Sequence, residues 1–315
     1  MILGLTEGCQ LGRDQELQER IQGTMNGDTR SLAKLLTLLE RGGPSVVAQT
    51  PKLLEPPKSA FRVGITGPPG AGKSTLISRL IGLWREKYDL RVGVLAVDPS
   101  SPFTDGAILG DRIRYHDHAL DPKVFIRSLG SRGSLGGLSA SAWLMVRAFD
   151  LAGFDVLLLE TVGVGQTELE IMNVADHVSV VLTPEGGDGI QGMKAGLMEI
   201  ASTFAVNKAD RPGADVFARE LEAALELDPR SMSSHPPKVF KLSALTGDGV
   251  FDFLSEIEAV RTDLLRWKPH RLEPRRLQAE GRALMMVEAE RKVRQAASQI
   301  QTSQDLGRVL RGISS

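Results

Sequence analysis

The chain alternates short apolar runs with longer mixed stretches. Apolar runs fall at Phe61–Thr66, Arg91–Val97, Val156–Leu159, Val178–Leu182, Thr203–Val206 and Val239–Leu242. Between most of them lies enough chain for a helix. Strand-like segments that alternate with helix-like ones predict an α/β fold, a mainly parallel sheet with helices on both faces.

The flanks read differently. Asp28 is placed to cap a helix through Arg41, with Leu32, Leu35, Leu36 and Leu39 on one face and Gly42, Gly43 and Pro44 as the stop. Pro51 to Pro57 holds three prolines and reads as a linker. At the other end, Leu272, Ala279, Met286, Val293 and Ile300 recur every seven residues, one stripe along a long helix. Such a helix either packs on its own domain or meets a second subunit. The expected division is residues 1–58 as a helical extension and linker, 59–260 as the α/β domain, and 261–315 as a C-terminal helical arm.

Composition narrows the class. The 315 residues are 42% apolar and 24% charged, ordinary for a globular protein. The net charge of -1 gives no whole-protein basic field, so no nucleic-acid partner is expected. Eleven Lys/Arg against five Asp/Glu between Arg266 and Arg311 make the arm locally basic. Cys9 is the single cysteine, which excludes an intramolecular disulfide and a cysteine-held zinc. The most apolar window, Ala142 to Glu160, is interrupted by Arg147, Asp150 and Asp155. No membrane span and no secretory leader are read, and a cytoplasmic location is expected.

The strand at Phe61–Thr66 runs into Gly67-Pro68-Pro69-Gly70-Ala71-Gly72-Lys73-Ser74-Thr75. This is G-x-x-x-x-G-K-S between a strand and a helical pattern, the context such a phosphate loop needs. Glycines let successive N–H groups turn toward phosphate oxygens, and the following helix adds the positive end of its dipole. Lys73 is expected on the β- and γ-phosphates, and Ser74 on magnesium. Asn207-Lys208-Ala209-Asp210 follows another strand and has the N-K-x-D form that reads guanine. The Asp210 carboxylate accepts from guanine N1–H and the 2-amino group, which adenine cannot match. Asn207 is expected to brace the loop, and the Lys208 stem to lie over the purine. Ser243-Ala244 stands where a backbone N–H faces guanine O6. Asp98 and Glu160, each just past a strand, and Asp111 in Gly110-Asp111-Arg112 are candidate magnesium ligands, directly or through water.

These residues resemble a known family. Asp98-Pro99-Ser100-Ser101-Pro102, Ile108-Leu109-Gly110-Asp111 and the run Glu160-Thr161-Val162-Gly163-Val164-Gly165-Gln166-Thr167-Glu168 look like the MeaB/ArgK family of P-loop GTPases. Thr183-Pro184-Glu185-Gly186-Gly187-Asp188 with Gln191-Gly192-Met193-Lys194 resembles that family's third switch. Asp105 departs from the pattern, which has a second glycine there. The resemblance implies a P-loop NTPase of the SIMIBI class with helical extensions at both ends. It implies a GTP- and GDP-binding chaperone for adenosylcobalamin-dependent acyl-CoA mutases, above all methylmalonyl-CoA mutase. Such a protein gates cofactor loading, protects the mutase and dimerises through its C-terminal arm. By matching position, Lys73, Asp111 and Glu160 are the expected catalytic group. Ser74, Asp98, Asp111 and Glu160 surround Mg2+, and Asp188 and Lys194 belong to the third switch.

The position after the glycine of Glu160-x-x-Gly163 holds Val164, not the water-orienting Gln of Ras-like proteins. Slow GTP hydrolysis, accelerated when a partner orders the switches, is therefore expected. Arg112, Arg127 and Arg132 are candidates to approach the γ-phosphate, each also readable as a salt-bridged surface residue. Three other functions compete. A nickel-delivering GTPase needs a His/Cys cluster, and only His116 and His118 stand close together; they read better as solvated loop residues. A small-molecule kinase of a transport system needs an acceptor pocket. A nucleotide-dependent interaction module would never turn over.

Overall fold

The computed structural model describes residues 15–42, 51–98, 115–130, 137–161, 174–184, 195–232, 236–267 and 274–298. Among them are seven strands: β1 (Phe61–Thr66), β2 (Val92–Asp98), β3 (Val124–Gly130), β4 (Val156–Thr161), β5 (His177–Leu182), β6 (Thr203–Val206) and β7 (Lys238–Lys241). They form one sheet in the order β3-β2-β4-β1-β5-β6-β7, with every adjacent pair parallel. All strands therefore end on one edge of the sheet. The helices are α1 (residues 15–25), α2 (Thr29–Gly42), α3 (Pro51–Leu54), α4 (Lys73–Tyr88), α5 (Gly137–Leu151), α6 (Ala195–Ile200), α7 (Ala214–Glu226), α8 (Val250–Trp267) and α9 (Pro274–Ala297).

The strands are continuous apolar runs because both faces of the sheet are covered. In β4, Val156 and Leu158 pack with α4 and α8, whereas Leu157 and Leu159 pack with α1, α2 and α5. β2 divides the same way, Val92 and Val94 to one side, Leu95 and Val97 to the other. Farther along the sheet Val180, Leu182, Phe204 and Val206 meet Phe217 and Leu221 of α7.

Six strands lie where the apolar runs place them, within one or two residues. β3 was not among those runs. It is an edge strand paired only with β2, and Arg127 and Ser128 interrupt its apolar character. The guanidinium of Arg127 donates to Glu40 of α2 at 2.7 Å, so this candidate for the γ-phosphate forms an ion pair under the N-terminal helices.

The N-terminal helix starts as read. Asp28 accepts from the N–H groups of Arg30 (3.1 Å) and Ser31 (3.0 Å), and Leu32, Leu35, Leu36 and Leu39 are buried. The proline-rich stretch read as a linker instead contains α3, whose Leu53 is fully buried. One apolar side chain with a place in the core outweighs the local proline signal.

At the C-terminal end α8 continues through residue 260 to Trp267. Helix α9 packs on α5, with Ala279, Glu280, Ala283 and Leu284 inward. The seven-residue stripe divides there. Ala279 lies against the core, but Met286 and Val293 are 59% and 62% exposed, and Leu272 and Ile300 lie outside the described residues.

Candidate functional site

The described candidate residues lie past the ends of β1 and β4, at the middle of the sheet, and of β6 and β7 toward one side of it, along the edge where such folds place ligands. β1 runs into a tight loop that needs its glycines. Gly67 has φ 138, and a Cβ there would stand 2.1 Å from the Val181 carbonyl oxygen. Gly72 has φ 87, and a Cβ there would stand 2.3 Å from Asn207 Nδ2. Pro68 is half-buried, whereas Pro69 and Gly70 are exposed at the loop's crest.

Helix α4 begins at Lys73 without a side-chain cap. Its first N–H groups, including those of Ser74 and Thr75, have no acceptor within the helix by its geometry. The Lys73 side chain folds back over the loop, donating to the carbonyls of Gly67 (2.8 Å) and Pro68 (3.0 Å). Together these make an anion cradle with an ammonium in its curl.

At the end of β4 the Glu160 carboxylate is buried and both of its oxygens accept. The Ser74 hydroxyl donates to Oε1 at 2.6 Å, and the Tyr115 hydroxyl donates to Oε2. Thr161 donates to Thr66 at 3.0 Å, tying the ends of β4 and β1 together. Ser74 and Glu160 thus form an all-oxygen donor pair beside the phosphate loop, the chemistry a hard divalent cation takes. The side chain of Asp98, at the end of β2, and all of Asp111, Asp188 and Lys194 lie outside the described residues.

Asn207 joins the two halves of the site. Its amide nitrogen donates to the Ala71 carbonyl at 2.7 Å, and its amide oxygen accepts from the Ala244 N–H at 2.9 Å. The buried asparagine spans the phosphate loop and the loop after β7. Lys208 next to it has φ 60, a left-handed backbone uncommon for a residue with a side chain. The Ser243 hydroxyl hydrogen-bonds the Asp210 carboxyl, which together with neighbouring charges holds it below the usual carboxylate range. Asp210 is exposed and ionised at neutral pH, ready to accept from paired N–H donors.

Two residues at the site escaped the sequence reading. Tyr115 is fully buried, yet a lone tyrosine 45 positions before Glu160 gives no motif signal. Arg79, on the exposed side of α4, donates to the carbonyls of Ala244 (3.0 Å) and Leu245 (2.6 Å), bracing the loop beside Asn207. Its place one and a half turns after Ser74 was the only clue. His118, read as solvated, instead docks on α4, with Nε2 2.9 Å from the Ser78 carbonyl.

The family described as Methylmalonyl Co-A mutase-associated GTPase MeaB matches residues 32–301. A Pyrococcus horikoshii protein provisionally named a GTPase is 48% identical over 246 residues, 78% of this chain and 77% of its own. The GTPase ArgK of Escherichia coli is 38% identical over 255 residues, 79% of this chain and 77% of its own. A Caenorhabditis elegans protein named methylmalonic aciduria type A homolog, mitochondrial, is 33% identical over 261 residues, covering 78% and 65%. Among solved structures, one described as an LAO/AO transport system kinase superposes with a TM-score of 0.66. It is 27% identical and covers 95% of this chain and 98% of its own. The phosphate loop, the asparagine bridge and a match across most of the sequence agree: the chain belongs to the MeaB family of GTPases.

Proposed function

We propose that the chain binds GTP and GDP at this edge of the sheet and hydrolyses GTP slowly when alone. By its nucleotide state it gates adenosylcobalamin loading into an acyl-CoA mutase of the methylmalonyl-CoA type, and protects that mutase. The observation that carries the nucleotide reading is Asn207, whose amide binds the phosphate loop and the Ser243–Ala244 loop at once. The mutase reading is supported by the family's description and by the name of the nematode relative.

Phosphoryl transfer asks for position and charge more than for a strong base. Backbone N–H groups from Gly70 to Thr75 surround the phosphates, and Lys73 swings from the Gly67 and Pro68 carbonyls to the β- and γ-oxygens. Asp210 selects guanine through its two donors, Lys208 covers the ring, and the loop at Ser243 and Ala244 meets the O6 edge. Ser74 and Glu160 fit Mg2+ by donor type, and Asp98 and Asp111 would hold it with them, directly or through water. The cation would neutralise charge on the transferring phosphate. Asp188 and Lys194 belong to the segment that senses the partner. The nucleotide unit is 59–260, preceded by the helical extension and linker 1–58, and the arm 261–315 joins two copies.

The test is retention of purified mutase on the immobilised protein with a non-hydrolysable GTP analogue, with GDP and with neither. Retention that depends on nucleotide, lost in Lys73→Ala, is the expected result, together with faster GTP hydrolysis when mutase is added. Equal retention in all three states, or none, overturns the gating reading. The structural likeness to a protein described as a transport kinase favours one second reading. Label from the γ-phosphate of GTP recovered on a small-molecule acceptor rather than as inorganic phosphate would establish it instead.

A further inference from the structure

We infer that Tyr115 is a positioning residue that fixes the Glu160 carboxylate against Ser74 and so sets the magnesium requirement of the site. The inference rests on the magnesium-dependent GTPase reading above. Tyr115 precedes the short turn His116–His118, and its own carbonyl accepts the His118 N–H at 3.0 Å. Its ring is fully buried and its hydroxyl donates to Glu160 Oε2. Glu160 Oε1 accepts from Ser74 at 2.6 Å.

The far side of the turn is pinned as well. His118 Nε2 donates to the Ser78 carbonyl at 2.9 Å and lies 3.0 Å from the Ser78 hydroxyl. Ser74 and Ser78 are four residues apart and share one face of α4. A closed circuit results: Ser74 to Glu160, Glu160 to Tyr115, three residues of turn to His118, His118 to Ser78, and one helical turn back to Ser74. Three separate elements, α4, the end of β4 and the turn, are locked by it. A carboxylate held through one oxygen alone still swings about its last torsion. Held through both, it presents Oε1 toward Ser74 before a cation arrives. Partners of this indirect kind typically govern metal affinity by 10–100-fold.

The experiment follows release of a fluorescent GDP analogue against Mg2+ concentration. Tyr115→Phe keeps the ring that fills the buried site and removes only the hydroxyl. Its half-saturating Mg2+ should rise about 10-fold, while GDP affinity in EDTA stays within about twofold of the parent. A filling role alone would leave the Mg2+ midpoint unchanged, and that result overturns the inference. So does an equal loss of affinity in EDTA. Ser74→Ala is the control that separates the two readings. If it shifts the Mg2+ midpoint and Tyr115→Phe does not, only the role of Tyr115 fails. If neither it nor the parent protein responds to Mg2+, the magnesium reading fails and takes this inference with it. Should Tyr115→Phe melt below assay temperature, His118→Asn loosens the turn without touching the ring. It must then give a shift in the same direction, and none overturns the proposal.

Discussion

Replacing Glu280 with Ala should destabilise the protein by about 4 kcal/mol, far more than an ordinary ion pair on a helix. The reason lies in where its partner sits. Arg147 of α5 and Glu280 of α9 are both at most 5% exposed. The guanidinium meets the carboxylate through two bonds, Nε to Oε1 at 2.8 Å and one terminal nitrogen to Oε2 at 2.6 Å. Its other terminal nitrogen donates to the Leu54 carbonyl at 2.9 Å. One arginine thus joins α5, α9 and the end of α3. Without Glu280 the cation stays buried with one hydrogen-bonded carbonyl and the more distant Asp150 carboxylate, itself bonded to Arg62. Two charge-assisted hydrogen bonds at roughly 1.5–3 kcal/mol each bracket the same figure.

The protein has one cheaper escape, release of α9 into solvent. Its docking rests on Ala279, Ala283 and Leu284 and on the Arg276–Asp176 pair at 2.6 Å. The cost of the substitution cannot exceed the free energy of that docking. Thermal unfolding and hydrogen exchange together separate the outcomes. Either the midpoint falls by about 8 °C, or α9 amides lose protection while the sheet keeps its own. Adding Arg147→Met should restore much of the loss, because the unpartnered cation is then gone while Asp150 keeps Arg62. A Glu280→Ala protein with an unchanged midpoint and fully protected α9 amides would refute the reasoning.

Four further outcomes are expected. Asp210→Asn should weaken GTP binding by about 100-fold and improve xanthosine nucleotides, since the carboxylate acceptor is lost; equal calorimetric affinities for GTP and ATP in the parent protein would contradict the assignment. Gly72→Ala should weaken nucleotide binding at least about 10-fold and lower the melting midpoint, because its Cβ meets Asn207 Nδ2 at 2.3 Å on a backbone with φ 87; unchanged calorimetric affinity would show that the loop has another way to curl. Burial lowers the His177 imidazole to about 4, so the unfolded chain takes up a proton below pH 6.5 that the native state refuses. Stability from this residue is whole above 6.5 and is lost as pH falls toward 4, by up to about 3 kcal/mol; denaturant titrations of His177→Gln should show a flatter acid limb, and parallel limbs would refute it. Truncation before Arg271 should abolish the dimer in light scattering, and it needs Arg147→Met alongside so that the loss is not mere unfolding; a dimer that survives removes the arm from the interface.

The sheet was legible because its inner strands are buried on both faces and so carry unbroken apolar runs. Position 156 to 159 needs no periodicity to be read, and both helix layers follow from it. β3 was lost for the opposite reason. An edge strand is half wet, and Arg127 within it looks like loop until its Glu40 partner is seen across 87 positions. The turn of helix at Pro51–Leu54 was hidden by prolines whose local meaning Leu53 overrides. The heptad stripe of the arm mixed two surfaces, since the inward face of α9 steps through 279, 280, 283 and 284 and burial fades beyond them.

The site divides along a similar line. Phosphate and guanine motifs are contiguous in sequence because backbone curls and strand ends make them, so a few adjacent residues suffice to announce them. The residues that hold those motifs in register come from distant parts of the chain. Asn207 reaches Ala71 across 136 positions, and Tyr115 reaches Glu160 across 45. β1 shows how the arm and the phosphate loop are tied to one strand. At its start the Arg62 N–H donates to Asp176 at 2.8 Å, and the same carboxylate takes Arg276 of α9. Five residues later the strand becomes the phosphate loop. It is buried throughout and hydrogen-bonded to β4 and β5 on both sides. A strand so fixed has one arrangement, and a coupling needs two. The arm and the phosphate loop thus share one fixed strand, which by itself is no two-state element.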